Sequence, residues 1–212
     1  MKIVSVAGAS IPGVHLIRFA RFPDDRGYFT EPFRFSDLAA RSEISGLAGK
    51  TVVQINESFS RRDVIRGLHF QWNPYMGKLV RTLSGRMIDI VLDIRRGSPT
   101  LGKALLFDVT AAPGDTEADW IWVPPGCAHG NAFFADTQIE YLCTGEYSPG
   151  CEAGISPFAP DIDWSAADPG LRAELEGLRA AGPVISAKDA GGLSLAAWLD
   201  DPRSQQFVYG RC

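Results

Sequence analysis

The 212-residue chain lacks the features that mark several protein classes. Its four cysteines are widely spaced and include no Cys-x-x-Cys pair, so neither a zinc site nor a disulfide framework is indicated. No apolar stretch approaches the length of a membrane span, and the first residues lack the apolar core of a signal peptide. A net charge of -4 gives no general attraction for nucleic acid or anionic membranes. We therefore expect a cytoplasmic protein without nucleic-acid or membrane partners.

Short apolar-alternating runs separated by glycine and proline are abundant instead. The 22 glycines and 14 prolines are scattered between these runs, which is typical of an all-β sandwich or barrel. The predicted strands cover about 2–7, 13–20, 51–58, 64–71, 78–83, 86–94, 103–109, 119–123, 131–135 and 139–147.

Two of these strands carry polar side chains along one face. In 86–94 the isoleucines and Leu92 share one face, while Asp89 and Asp93 fall on the other, which must meet water or line a polar cavity. Gln54, Asn56 and Ser58 form a second polar row at period two. The two rows predict a barrel with a wet interior, as in jelly rolls and cupins.

Beyond residue 160 the pattern becomes helical. Asp168-Pro169 begins a helix with leucines at i, i+4 and i+7, and Gly182-Pro183 ends it. A shorter helix is predicted over about 190–199, followed by a loosely held tail over 200–212. We expect one domain, with a β body over about 1–160 and a helical cap and tail over about 161–212.

The segment Arg66–Gln71 contains His69, one of only three histidines. An imidazole can exchange protons near neutral pH, and Lys78 follows nine residues later. A lone histidine is also commonly a buried, hydrogen-bonded structural residue. These residues alone leave both interpretations open.

A second histidine lies in Pro-x-Gly-x-x-His, the form of the second cupin motif, in which the histidine commonly binds metal. This histidine is His129. A metal cupin also needs two histidines one residue apart in its first motif, where this chain has His69 and Gln71. Two histidines without a thiolate or a facial carboxylate form a poor catalytic metal site. The sequence therefore disfavours a metal.

Further polar residues allow two interpretations each. Tyr141 and Tyr147 are either packing residues of a strand or a source of a general acid. Ser186-x-x-Asp189 is either a helix N-cap or the source of a carboxylate that orients His69.

Taken in order, eight motifs resemble the dTDP-4-dehydrorhamnose 3,5-epimerase family, cupin-fold enzymes that act on dTDP-4-keto-6-deoxy sugars. The resemblance spans about residues 12–195. The matching runs are Asp25–Glu31, Gln54–Asn56, Arg66–Gln71, Gly77–Val80, Ser98–Gly102, Pro124–Gly130, Tyr147–Pro149 and Ser186–Asp189.

The resemblance implies a role for each matching residue. His69 is expected to be the base, Asp189 its orienting partner, Tyr141 the acid on the opposite face of the sugar, and Lys78 the cation near the keto oxygen. Asp189 is expected to raise the basicity of the histidine. The residues expected to bind the nucleotide, diphosphate or sugar are Arg26, Phe29, Glu31, Gln54, Asn56, Arg66, His129 and Tyr147.

The resemblance further implies a homodimeric jelly roll with an exchanged N-terminal strand, which brings residues such as Arg26 to the partner's site. The implied activity is cofactor-independent, metal-free epimerisation at C3, C5 or both through an enolate. The alternatives are a mono-epimerase or ketoisomerase for a related nucleotide-linked keto sugar, and a non-catalytic cupin that binds a nucleotide sugar. A metal-dependent cupin dioxygenase ranks last, because ligands are missing.

Overall fold

The structure is a computed structural model that describes residues 1–44, 46–47 and 49–212. The strands are β1 Ile3–Gly8, β2 His15–Ala20, β3 Phe22–Asp24, β4 Gly27–Phe29, β5 Gln54–Ser60, β6 Val64–Gln71, β7 Lys78–Asp93, β8 Ala104–Ala111, β9 Glu117–Val123, β10 Cys127–Phe133, β11 Thr137–Cys143, β12 Glu152–Gly154 and β13 Val184–Ile185. The helices are α1 Phe35–Ala39, α2 Pro169–Ala181, α3 Ala187–Ala190 and α4 Leu195–Asp200, with 3-10 turns at Ser42–Ile44 and Pro202–Gln206. The all-β class with a few short helices is confirmed.

The long strand β7 belongs to two sheets. Its first half pairs with β9 and β11, so the first sheet has the strand order β1-β2-β9-β7-β11-β5. Its second half pairs with β8 and β10, and β10 continues to β6, which is flanked by β12 and β13. The strands predicted over 78–83 and 86–94 are therefore one strand.

Glycine is required where β7 passes between the sheets. Gly85 has φ +94, and a Cβ built there would lie 2.4 Å from the carbonyl oxygen of Asp136. Only a residue without a side chain fits this conformation and this close approach. Among the described strands the pairing does not return to its start, so the predicted cupin-like β architecture is present as two sheets and not as a closed barrel.

The apolar core has layers inside and outside the sheets. Residues from both sheets, among them Val80, Met87 and Ile121, pack between them. On the outer face of the second sheet, the isoleucines of β7 pack against residues of α2, α4 and the tail, including Trp198 and Phe207. Burial of this apolar face explains why the second sheet carries α2 and α4, whereas α1 packs against the first sheet.

The helical region begins and ends as its sequence signals indicate, but its second part differs from the prediction. The Asp168 side chain caps α2 by accepting bonds from two backbone N–H groups, and Gly182 ends it in the left-handed conformation. The helix predicted over 190–199 is two short helices, α3 and α4. The tail is not loosely held, because Phe207 is fully buried and its carbonyl accepts a bond from the Arg96 amide at 2.7 Å.

The two aspartates of β7 are fully buried. The Asp93 carboxylate binds the Arg95 guanidinium at 2.8 Å and the hydroxyl of Ser98 at 2.6 Å. Asp89 has its own partners, described below. The prediction that this face meets water or lines a polar cavity is therefore wrong, because both carboxylates are buried and neither lines the cavity described below. No helix among the described residues is both long and apolar enough to cross a bilayer.

Candidate active site

A cavity of about 400 Å³ opens at the end of the fold where β7 begins. Its wall contains residues from both sheets and from the loops beside them: Gln54, Asn56, Glu57, His69, Phe70, Gln71, Met76, Lys78, Tyr141, Tyr147 and Glu152. Six residues predicted for the site are therefore brought together: His69, Lys78, Tyr141, Gln54, Asn56 and Tyr147.

His69 is paired with the predicted carboxylate. Its Nε2 lies 2.7 Å from Oδ1 of Asp189, so Nδ1 is the ring nitrogen left to accept a proton. The side chain of His69 is 37% exposed and that of Asp189 is 7% exposed. The other carboxylate oxygen of Asp189 accepts the backbone N–H of Gly67 at 3.2 Å, which fixes its orientation.

The chain brings Asp189 to this position through a short parallel pairing. Strand β13 pairs with β6 at Val184–Val64 and Ile185–Ile65, and α3 begins directly after it. The Ser186 hydroxyl caps α3 by accepting the N–H of Asp189 at 3.1 Å. The helix cap and the carboxylate partner of His69, which the sequence left as alternatives, are both present.

Burial lowers the pKa of His69 below its ordinary value. The hydrogen bond and negative charge of Asp189 act in the opposite direction, and Lys78 and Lys188 add to the lowering. The expectation that Asp189 raises the basicity is right for its own contribution, but the net pKa shift is downward. A histidine with a lowered pKa is neutral at pH 7 and can act as a base.

Tyr141 enters the cavity from the opposite sheet. Burial raises its pKa, Cys143 adds to this effect, and the neighbouring Asn56 amide together with the charge of Arg66 opposes it. Tyr141 therefore keeps its proton at neutral pH. Asn56 is held in turn, because its Oδ1 accepts the amide of Gln54 at 2.9 Å.

Lys78 is the first residue of β7 and lines the same cavity. Burial lowers its pKa, while Cys143 and the carboxylates of Asp89 and Glu152 oppose that shift. An anionic ligand in the cavity would favour the charged ammonium by the same Coulomb effect.

Sequence reasoning missed Glu152, Glu57 and Met76 as cavity residues. Glu152 accepts hydrogen bonds from the Tyr147 hydroxyl at 3.0 Å and from the Lys188 ammonium at 2.8 Å. Its strand β12 has only three residues, too few to show an alternating pattern. The one available signal is the acidic residue that follows the Pro149-Gly150 turn.

Gln71, which replaces the second histidine of a metal-binding cupin motif, is a structural residue here. Its amide donates to the carbonyls of Pro74 and Glu146 at 3.0 and 2.9 Å and accepts the N–H of Ser148 at 2.9 Å. Within the described residues, no three His, Cys, Asp or Glu side chains converge in a way that could hold a metal ion.

Two residues predicted to bind substrate lie outside the cavity wall. Arg66 reaches across to β5, where its Nε donates to the Ser60 hydroxyl at 2.9 Å. His129 is buried, and its Nε2 lies 2.8 Å from Oδ2 of Asp89. Asn131 donates to the same carboxylate oxygen at 3.0 Å.

The N-terminal candidates are also away from the cavity. Strands β3 and β4 form a separate hairpin that exposes Arg26, which pairs with Asp24 at 2.6 Å, and Phe29, which is 70% exposed. Glu31 binds the amino group of Met1 at 2.5 Å and also pairs with Arg34. Within the single chain these residues therefore lie outside the wall of the cavity that they are predicted to serve.

Two sheets that enclose a polar cavity lined by a histidine, a lysine and a tyrosine define a cupin-like protein equipped for acid–base chemistry. The sequence profile of the dTDP-4-dehydrorhamnose 3,5-epimerase family matches residues 8–197. The chain belongs to this family.

Individual relatives agree with the profile. A dTDP-4-dehydrorhamnose 3,5-epimerase from Mycobacterium tuberculosis is 35% identical over 206 residues, covering 93% of this chain and 94% of that protein. One from Neisseria gonorrhoeae is 32% identical over 194 residues, covering 91% of this chain but only 53% of that longer protein. The crystal structure of dTDP-6-deoxy-D-glucose-3,5-epimerase from Legionella pneumophila, in complex with dTDP-4-keto-L-rhamnose, gives a TM-score of 0.75 at 29% identity. That comparison covers 94% of this chain and 96% of the other.

Proposed function

We propose that the chain is a cofactor-independent epimerase of a dTDP-linked 4-keto-6-deoxy sugar, most simply dTDP-4-dehydro-6-deoxyglucose, acting at C3, C5 or both. The observation that carries this proposal is the placement of His69 and Tyr141 in one cavity but on opposite sheets. Inversion at a carbon needs a base on one face of the ring and an acid on the other.

The proposed first step is proton abstraction. Neutral His69 takes the proton from the carbon beside the 4-keto group. The electrons of the C–H bond form a C=C bond to C4, and the π electrons of the carbonyl move onto its oxygen to give the enolate. The hydrogen bond between His69 and Asp189 stabilises the imidazolium that forms. Lys78, as a positioned cation, stabilises the enolate oxygen, which is often the largest single contribution to catalysis.

The second step returns a proton to the opposite face. Tyr141 donates its phenolic proton to the carbanionic carbon, and the enolate electrons form the new C–H bond. The tyrosinate then recovers a proton from solvent, and the histidinium releases one. The raised pKa of Tyr141 suits this role, because the hydroxyl stays protonated until the enolate is there to receive the proton.

Deuterium exchange tests the chemistry. Incubation with dTDP-4-keto-6-deoxyglucose in D2O should place deuterium at C5, C3 or both, and NMR of the product assigns the carbons. Tyr141→Phe should still exchange the substrate proton through His69 but should form little inverted product. Absence of exchange at both carbons in the wild-type protein would exclude epimerase activity on this substrate.

We also propose a homodimer in which the β3–β4 hairpin of one copy reaches the cavity of the other. Support comes from the exposure of the hairpin: Phe22, Tyr28 and Phe29 are large apolar side chains at the surface. The edge strand β5 likewise exposes Ile55 and Phe59. In this arrangement Arg26 would bind the diphosphate, since a guanidinium pairs well with phosphate oxygens.

Mixing of two inactive variants tests the exchange. His69→Ala removes the base of its own cavity, and Arg26→Ala removes a residue that we place in the partner's cavity. A mixed dimer should therefore contain one intact site and recover activity, up to about half per mixed dimer. If subunit exchange occurs and no activity returns, Arg26 acts in its own protomer, and if Arg26→Ala alone is active, Arg26 acts in neither cavity.

A further inference from the structure

Five aromatic side chains pack together beside the end of β6. We call this set the aromatic cluster: Phe70, Trp72, Tyr75, Trp198 and Phe207. The Phe70 ring lies 4.5 Å from Trp198 and 5.4 Å from Phe207, measured between centroids. Aromatic pairs at such distances attract each other beyond the effect of their buried area.

The aromatic cluster contacts a loop that belongs to the cavity. Residues 72–77 connect β6 to β7, and within this loop Met76 lines the cavity while Trp72 and Tyr75 face the cluster. The first part of the loop is held to the end of β6, because the Gln71 amide donates to the Pro74 carbonyl at 3.0 Å. The outer side is held by the segment Trp198–Tyr209, which we call the support segment.

The contact between loop and support segment has a polar and an apolar part. The Tyr75 hydroxyl donates to the carbonyl of Gln206 at 2.8 Å. The Tyr75 ring also meets Phe207 edge to face at 5.4 Å between centroids. Phe207 is fully buried, so the loop packs against part of the apolar core.

The support segment is itself attached to the second sheet by the residues that follow β7. The Arg96 amide donates to the carbonyl of Phe207 at 2.7 Å, and the Arg96 carbonyl accepts the N–H of Tyr209 at 3.0 Å. The Arg96 guanidinium binds the Ser204 hydroxyl at 2.8 Å. A chain of contacts therefore runs from β7 through Arg96 and Phe207 to Tyr75.

The support segment lies beyond the family match, which ends at residue 197. We propose that it is a positioning element for the substrate cavity: it holds the β6–β7 loop, and with it the wall formed by Met76, in the shape that receives the sugar. This inference rests on the proposed function. Because His69, Lys78 and Tyr141 lie on sheet strands, loosening the loop should weaken substrate binding rather than the chemical step.

Two tyrosine variants that lose the same atom test the proposal. Tyr75→Phe removes the hydroxyl that binds Gln206. Tyr209→Phe removes a hydroxyl that has no hydrogen bond among the described residues, although its ring also lies in the support segment, over Arg95. We expect Tyr75→Phe to raise KM about threefold with kcat unchanged, and Tyr209→Phe to change neither.

Phe207→Leu should have a larger effect in the same direction. It leaves a gap where Phe70, Tyr75 and Trp198 now meet the ring, and we expect KM to rise about tenfold. Circular dichroism should show that the β signal is retained. Equal KM values for wild-type protein, Tyr75→Phe and a folded Phe207→Leu would overturn the proposal. A loss of kcat at constant KM would also overturn it.

Amide hydrogen exchange separates this inference from the proposed function. Residues 72–77 should exchange faster in Tyr75→Phe than in Tyr209→Phe, whatever reaction the protein catalyses. If the wild-type protein fails to exchange deuterium into the keto sugar, the proposed function fails while the loop measurement still stands. Unchanged loop protection in Tyr75→Phe would instead reject the support segment as a positioning element.

Discussion

Two histidines on adjacent strands each bind a carboxylate, but in opposite surroundings. His69 and His129 stand opposite each other in the β6–β10 pairing, and their Nε2 atoms lie 2.7 and 2.8 Å from Asp189 and Asp89. The His69 side chain is 37% exposed and borders the cavity, whereas His129 is only 7% exposed and Asp89 is fully buried. A hydrogen-bonded carboxylate therefore does not distinguish the two histidines, whereas contact with the cavity does, and it is the reason we propose His69 rather than His129 as the base.

The largest expected effect is the loss of activity in His69→Ala. Removal of the base should lower deuterium exchange and turnover about a thousandfold. The free energy of unfolding should change by only about 1 kcal/mol, because the side chain is partly exposed. The matched control is His15→Ala on β2, the histidine outside both pairs, which should keep full activity. Wild-type exchange rates in His69→Ala would remove the proposed mechanism.

His129→Ala should show the reverse pattern. The substitution removes one hydrogen-bond partner of the buried Asp89 carboxylate. The Oδ1 atom of Asp89 already has no hydrogen bond among the described residues. We expect a loss of about 3 kcal/mol in the free energy of unfolding, measured by urea denaturation, with activity retained per folded molecule. Normal stability with strongly raised KM would instead support the predicted role of His129 in substrate binding.

Asp189→Asn should have the smallest effect of the three and should shift the pH profile. Activity is expected to rise with pH through the pKa of His69, which burial places below its ordinary value, because the neutral ring is the base. Asparagine removes the charge that opposes this lowering, so the pKa should fall further and the acidic limb should move to lower pH. We expect the plateau rate to drop on the order of tenfold, because the imidazole becomes a weaker base. An acidic limb that stays in place would show that Asp189 does not act on His69.

Short-range sequence patterns predicted most of the strands and helices. They were wrong where the local structure depends on contacts between residues distant in sequence. The alternation of Ile88, Ile90 and Leu92 revealed the strand, but Gly85 looked like a break although the strand continues through it. The tail has too few apolar residues to show a period, yet Phe207 is buried by residues distant in sequence. The open pairing of the sheets likewise depends on partners that no local pattern identifies.

For the candidate site, the ordered motifs predicted which residues line one cavity, but they did not predict the burial and hydrogen-bond partners of those residues. His69, Lys78 and Tyr141 lie far apart in sequence and still line one cavity. The net direction of the His69 pKa shift could not be predicted, because it depends on how deeply the folded chain buries the ring. Arg26 and Glu31 lie outside the cavity of their own protomer, so their predicted roles depend on the proposed second copy.

The sharing of β7 between two sheets has a consequence for how the protein unfolds. Its sixteen residues supply a central partner to β9 and β11 at one end and to β8 and β10 at the other. Neither sheet can lose this strand without exposing the apolar layer between them. The two halves should therefore melt in one cooperative transition, with amide protection in β9 and β10 lost together. The segment that begins at Lys78 thus also couples the integrity of the cavity to the global stability of the protein.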